Sequence, residues 1–399
     1  MSDAKVNIVS VNFDDIIQRG NTACVKHDGR HAYFGTNDIT PLWVADMDFA
    51  APEAVTRALV ERAQHPVYGY TFYPDSLYEA LISWLQKRHN WSIKREWIMM
   101  APGVVPSIHA AILAFTRVGE GVIIQPPVYF PFFSSVTTCE RQLVVNPLRL
   151  VDGRYQFDID HLTECAAQGA RLLLLCSPHN PVGRVWTVDE LQQILAVARQ
   201  YDLLILADEI HHDLVYPQQK HTLLATLASE QDNIITALAP SKTFNIAGLN
   251  LSALIVPKPK HRAALQKVFD SLHIGHSNPF SIAAFEAAYR DGEAWLTQLL
   301  VYLNDSKNVV RDYLIQHLPN IRLIEPEGTY LLWLDCRDLA MTDAELRDFF
   351  IHQAKVGMNA GTVFGEQGQG FMRLNIGSPR SVIIAALDRI VIALKAKND

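Results

Sequence analysis

Leu203-Leu204-Ile205-Leu206-Ala207 runs without a break into Asp208-Glu209-Ile210-His211. Five consecutive apolar residues do not suit a strand with one wet face, whose residues would alternate, but they do suit a strand covered by helices on both sides. Similar runs recur on either side, at Trp97–Met100, Val122–Ile124, Leu172–Leu175, Ile234–Leu238 and Leu251–Val256, each followed by a polar or Gly/Pro cluster and then helical spacing. This is a β/α alternation. A doubly wound, mostly parallel sheet is the economical assembly, and in such sheets ligands lie beyond the carboxyl ends of the strands.

Outward from this centre, Val55, Ala58 and Leu59 predict an amphipathic helix starting at Pro52, and Leu77, Leu81, Trp84 and Leu85 predict a second. Between them lies the aromatic loop Val67-Tyr-Gly-Tyr70. Thr187-Val-Asp-Glu190 reads as a capping box ahead of Leu191, Ile194, Leu195 and Ala198. A long helical region is expected over 280–317, with strands and helices alternating again over 321–399. The expected division is an N-terminal arm over 1–50, a large domain over 51–290 and a smaller C-terminal domain over 291–399.

The segments directly after the apolar runs are Ala101-Pro-Gly-Val-Val105, Gln125-Pro-Pro-Val-Tyr129, Ser177-Pro-His-Asn-Pro-Val-Gly183, Asp208-Glu-Ile-His211 and Ala239-Pro-Ser-Lys-Thr243. They bring an aromatic ring, an amide, a carboxylate, a hydroxyl and a lysine to one sheet edge. That set suits pyridoxal phosphate. A lysine amine condenses with the aldehyde, a carboxylate keeps the pyridine nitrogen protonated, an aromatic face stacks on the ring, and helix-terminal N–H groups bind the phosphate. Singly, each has a plainer reading: Lys242 as a surface lysine, Asp208 as a turn cap, Asn180 before Pro181 as a turn residue. Their joint occurrence at successive strand ends is the signal.

Charge and composition narrow the function further. Among 399 residues, 35 basic and 42 acidic side chains leave a net charge of −7, without the basic excess that nucleic acid or an anionic membrane surface would demand. Five scattered cysteines, with no C-x-x-C pair, suit neither a disulfide framework nor zinc. No apolar run is long enough to span a membrane. A soluble, cytoplasmic protein acting on a small molecule is the expectation.

The motifs also carry a family likeness. Ser177-Pro-His-Asn-Pro-Val-Gly-Arg184, Asp208 and Ser241-Lys-Thr-Phe-Asn-Ile-Ala-Gly-Leu249 resemble the fold type I pyridoxal-phosphate enzymes of the aspartate aminotransferase superfamily. Trp43-Val-Ala-Asp-Met-Asp-Phe49, Asp208-Glu-Ile-His211 and Phe371-Met-Arg-Leu-Asn-Ile-Gly-Ser-Pro-Arg380 resemble, more narrowly, the MalY/PatB family of cystathionine β-lyases. The resemblance implies an aspartate-aminotransferase-like α/β fold, with a mostly parallel seven-stranded sheet in the large domain and a smaller α/β domain. It implies Lys242 as the Schiff-base lysine, Asp208 at the pyridinium nitrogen, Asn180 at the phenolic oxygen and Tyr129 on the ring. Val104, Val105 and Ser241 would hold the phosphate, Arg373 the substrate carboxylate, and Tyr70 would reach a neighbouring subunit's site in a homodimer. Two positions depart from the wider superfamily. His211 stands where many aminotransferases have tyrosine, and Asn250 stands where an arginine commonly binds the phosphate, which leaves that task to Ser241, backbone N–H groups and Thr243.

The function so implied is α,β-elimination from L-cystathionine or a related cysteine S-conjugate. An aminotransferase is the alternative, and no spacing separates the two. One branch of the family also has a regulatory, protein-binding role, so such a partner stays open. Pyridoxal-dependent regulators with a fused helix-turn-helix are not expected, because about 50 residues precede the first predicted helix. Asp46 and Asp48 read as a solvated loop, His211-His212 share no face for a metal, Gly365–Gly370 is a loop rather than a dinucleotide fingerprint, and Lys258-Pro-Lys260 is an exposed basic turn.

Overall fold

The computed structural model describes residues 11–398. Helices α1 (Glu53–Gln64) and α2 (Asp75–His89) follow the predicted apolar spacing, burying Val55 on the first and Leu77, Leu81, Trp84 and Leu85 on the second. The α2 helix ends on Asn90 in the left-handed conformation, with Lys87 and Arg88 in its last turn, where the helix dipole favours a cation.

Seven strands form the main sheet: β1 (Ile98–Ala101), β2 (Gly121–Ile124), β3 (Gln142–Val145), β4 (Leu172–Cys176), β5 (Leu204–Asp208), β6 (Ile234–Leu238) and β7 (Ser252–Ile255). Their order is β1-β7-β6-β5-β4-β2-β3. All neighbours are parallel except β7, which runs against both β1 and β6. Six of these strands lie on the predicted runs. The edge strand β3 escaped because it opens on an exposed glutamine and is only partly covered, so its sequence lacks the continuous apolar signature.

Period-two geometry divides each central strand between two cores. Leu172 and Leu174 of β4 and Leu206 of β5 pack with helix α3 (Val104–Phe115), whereas Leu173, Leu175, Ile205 and Ala207 pack with helix α4 (Val188–Gln200). Each fully buried leucine contributes roughly 1.5–3 kcal/mol from apolar transfer alone. The capping box forms as expected at the start of α4: Thr187 accepts from the Glu190 N–H, and Glu190 accepts from the Thr187 N–H.

Lys242 rides on α5 (Pro240–Thr243), a single turn after β6. The predicted helical region over 280–317 is two helices, α6 (Pro279–Asp291) and α7 (Glu293–His317), separated at Gly292. A Cβ at Gly292 would fall on the Phe244 ring just after α5. The break thus serves a close approach between this junction and the lysine-bearing turn.

A second sheet holds β8 (Arg322–Ile324), β9 (Leu331–Asp335), β10 (Asn359–Ala360) and β11 (Phe371–Asn375) in the antiparallel order β8-β9-β11-β10. Helix α8 (Arg380–Asn398) follows it. Thr40–Pro41 pairs with Val356–Gly357, tying the N-terminal segment to this part of the chain and launching residues 42–49 across the end of the main sheet.

Gly292→Ala should lower stability by about 1–3 kcal/mol, the usual cost of overpacking. A reduced urea midpoint with an unchanged denaturant slope is the expected result.

Candidate active site

The carboxyl ends of the central strands open into a cavity of about 240 Å3. Its wall includes Val104, Val105, Tyr129, Asn180, Asp208, His211, Ser241 and Lys242. These eight residues, read from separate stretches of sequence, are brought together. Arg373 lies immediately behind, donating from one terminal nitrogen to Asn180 Oδ1 at 2.9 Å. Tyr70 is apart from the others: it is fully exposed, on the loop between α1 and α2.

Two opposite charges sit at adjacent strand ends. Asp208 ends β5, and burial pushes its carboxyl up to about 7; its one hydrogen-bond donor among the described residues is the Ile210 N–H at 3.2 Å. Lys242 Nζ donates to the Ala45 carbonyl at 2.8 Å, and burial pushes its amine down to about 8 against the pull of Asp46 and Asp208. Burial, with Lys242 and Arg373 nearby, lowers His211 to about 3, so its imidazole is neutral near pH 7. Among the described residues, no group pairs with its Nδ1.

Arg373 is a buried cation with no ion pair among the described residues. Its other terminal nitrogen donates to Trp43 O at 2.9 Å and Asn359 Oδ1 at 2.7 Å, and its Nε has no acceptor among the described residues. Burial lowers its pKa to about 10. A strand-edge salt bridge is thereby excluded. A guanidinium surrounded by neutral acceptors is poised for an incoming carboxylate.

Residues 43–49 form a strap along the cavity, and here one expectation is corrected. Asp46 and Asp48 are not a solvated loop. Asp46 receives two bonds from Arg19, at 3.0 and 2.7 Å, while Asp48 takes Arg19 at 2.7 Å, Lys26 at 2.8 Å and the Ser378 hydroxyl. Burial would raise the Asp48 carboxyl, but His27, Lys26 and Ser378 hold it well below its ordinary range. On the inner side Asn375 donates to Val44 O and Asp46 O, and Asn245 binds the backbone of Met47 and Phe49. The Tyr330 hydroxyl shares the Ala45 carbonyl with Lys242.

Thr243 requires a second correction. Its hydroxyl does not face the cavity but turns toward Asp213, 3.4 Å away, so it is unavailable for a phosphate there. Sequence reasoning also missed Ala45, whose contribution is a backbone carbonyl, and Cys176, which lines the cavity opposite Asp208 in the β4–β5 register. A cysteine ending an apolar run looks like any core residue, and a carbonyl has no sequence signal at all.

The donor set fits pyridoxal 5'-phosphate. A buried carboxylate with one backbone donor suits a protonated pyridine nitrogen, and the Asn180 side-chain nitrogen is left for an oxygen because its Oδ1 already accepts from Arg373. Val104 and Val105 begin a twelve-residue helix whose N-cap, Gly103, supplies no side-chain acceptor. The first N–H groups of such a helix have no acceptor within it and favour a phosphate.

Together the sheet and the cavity define an α/β enzyme of the aspartate-aminotransferase-like fold. The sequence model of the aminotransferase class I and II family matches residues 37–390. Cystathionine β-lyase PatB of Bacillus subtilis (strain 168) is 40% identical over 386 residues, covering 96% of this chain and 100% of its own. Protein MalY of Escherichia coli (strain K12) is 31% identical, with 96% and 99% covered. Cystalysin of Treponema denticola, whose crystal structure contains pyridoxal 5'-phosphate, superposes with a TM-score of 0.94 at 36% identity, covering 97% of this chain and 100% of its own. The chain belongs to the aminotransferase class I and II family and, within it, to the MalY/PatB branch. No helix among the described residues is long and apolar enough to cross a membrane.

The depressed amine at Lys242 is directly testable. In cofactor-free protein at pH 8, an acylating reagent should label Lys242 well ahead of surface lysines, whose ordinary pKa is about 10.4. Peptide mapping that finds Lys242 no more reactive than the rest would refute its depressed pKa.

Proposed function

We propose that this chain is a pyridoxal-phosphate-dependent carbon–sulfur β-lyase, releasing a thiol, pyruvate and ammonia from L-cystathionine or a related S-substituted cysteine. The observation that carries this reading is the convergence of three groups: the half-buried Lys242 amine, the buried Asp208 carboxyl with its single backbone donor and the buried Arg373 guanidinium without a carboxylate. Full-length similarity to PatB supports the reaction class.

When bound, pyridoxal phosphate supplies an electron sink for the pair left on the substrate Cα. Asp208 would hold the proton on its pyridine nitrogen, Tyr129 would offer its ring face, and the Asn180 amide would donate to its phenolic oxygen beside neutral His211. The Val104 and Val105 N–H groups and the Ser241 hydroxyl would hold its phosphate. Arg373 takes the substrate α-carboxylate as a bidentate fork. Lys242 Nζ then removes the Cα proton. The Cβ–S bond breaks with its electron pair on sulfur, a tolerable leaving group because a thiol's pKa is about 8.5. Water converts the remaining fragment to pyruvate and ammonia.

The proposal includes a homodimer in which Tyr70 serves the neighbouring subunit's site, with the three-part division at residues 50 and 290 retained. In support, Tyr70 stands among the exposed Val67, Tyr68 and Phe72, an apolar group of the kind that marks an interface. Tyr70→Ala and Lys242→Ala subunits, each inactive alone, should regain part of the activity when mixed. Failure of rescue with subunit exchange confirmed would remove Tyr70 from the shared site.

Given L-cystathionine and no keto acid, the holoenzyme should form thiol, pyruvate and ammonia in equal amounts. Borohydride should fix the cofactor on Lys242. Arg373→Ala should raise KM and lower kcat/KM without altering the product ratio. Turnover that demands a keto acid and yields no thiol would replace this assignment with an aminotransferase.

A further inference from the structure

Behind the cavity lies a polar cluster for which the proposed chemistry has no use. Asp213, five residues beyond Asp208, is 2% exposed and meets polar groups from three separate parts of the chain. From α2, Trp84 Nε1 approaches its oxygens at 3.1 and 3.3 Å, His89 Nε2 at 2.8 Å and Arg88 Nε at 3.1 Å. From its own turn, His212 Nε2 forms an ion pair at 3.2 Å without hydrogen-bond alignment. From α5, the Thr243 hydroxyl reaches it at 3.4 Å. Tyr289 of α6 is also within its electrostatic influence.

His89, His212 and Asp213 have the spacing of metal ligands. Trp84 already donates to the same carboxylate and Arg88 pairs with it as an ion, however, and a dication would have to displace them. The cluster works instead as a fastening. Thr243 is the residue directly after Lys242, and Phe244, next again, packs edge-on against Trp84 with ring centroids 5.6 Å apart. The turn carrying Lys242 is thus secured to the same groups that secure the turn leaving Asp208. Burial would raise the Asp213 carboxyl, but His212 and His89 hold it well below its ordinary range, so the hub stays anionic.

We infer that Asp213, acting through Thr243, is a positioning residue that fixes the Lys242 turn against the Asp208 turn. It touches neither cofactor nor substrate. The inference rests on Lys242 being the cofactor-bearing lysine, and borohydride labelling of each variant tests that premise separately.

Thr243→Val keeps the side-chain shape and removes the hydroxyl. In holoenzyme it should lower kcat about tenfold with KM within about twofold, because ground-state binding is left intact. It should also move the pH midpoint of the visible cofactor absorption by at least about 0.5 unit, with the thermal midpoint nearly unchanged. Thr243→Ser, which restores the hydroxyl, should recover both readouts. Asp213→Asn should show the same two changes more strongly; if it does not fold, the Thr243 pair decides. Wild-type kcat and titration in folded Thr243→Val, or absence of rescue by serine, would overturn the inference. Label at a lysine other than Lys242 would overturn the premise and the inference with it.

Discussion

Asp208 is a carboxylate held in the protein interior with one backbone N–H for company. Taking an ionised carboxylate from water costs several kcal/mol unless a cation or strong donors compensate. Such a group survives only where the surrounding structure is firm enough to keep water out and leave it no exit. Here the firmness comes from a strand buried on both faces, with Leu206 in one core and Ile205 and Ala207 in the other. The parallel register then aligns Cys176 with Asp208, so neighbouring strand ends finish level and their loops diverge around one space.

Lys242 is the counterpart of that constraint. It follows β6, the next strand over, on a turn that Pro240 starts. One turn has little rigidity of its own, since helix formation becomes favourable only over many residues. Its position must come from packing, and the packing is found on its far side, where Phe244 meets Trp84 and Gly292 lets the α6–α7 junction close in. The strap at 43–49 bounds the near side. Arg19 and Lys26 neutralise its two aspartates, which lets it lie against the cavity without burying unpaired anions.

Much of this was legible in the sequence because the sheet's physics is repetitive. Apolar runs with polar ends recur six times, and the residues after them gather at one cavity as the topology requires. What escaped was whatever depends on partners distant in the chain. Asp46 and Asp48 resemble a solvated pair until Arg19 and Lys26, some twenty residues earlier, are folded onto them. Thr243 could face either way from its sequence, and Asp213 on another loop decides it. The strand β3 carries too little apolar pattern for an edge position to be read, and Ala45 acts through a backbone atom that every residue owns.

The balance of charge around the cavity connects these parts to the chemistry. Arg373 and Lys242 bring two cations to the cavity, Asp208 is the one acidic group on its wall with its carboxyl pushed up to about 7, and His211 is neutral, so positive charge outweighs negative around the cavity within a chain of net charge −7. The N-terminus of α3 adds its partial positive charge on the same wall. An excess of this kind favours ligands bearing a phosphate and a carboxylate. It also lowers the cost of transient negative charge at a carbon beside them, because fixed charges and dipoles already in place need not reorganise when that charge develops. Meanwhile the neutral partners of Arg373, the carbonyl of Trp43 and the amides of Asn180 and Asn359, orient the guanidinium without discharging it. Had any of them been a carboxylate, the fork would be satisfied before a substrate arrived, and the same fold would hold an amino acid far less well.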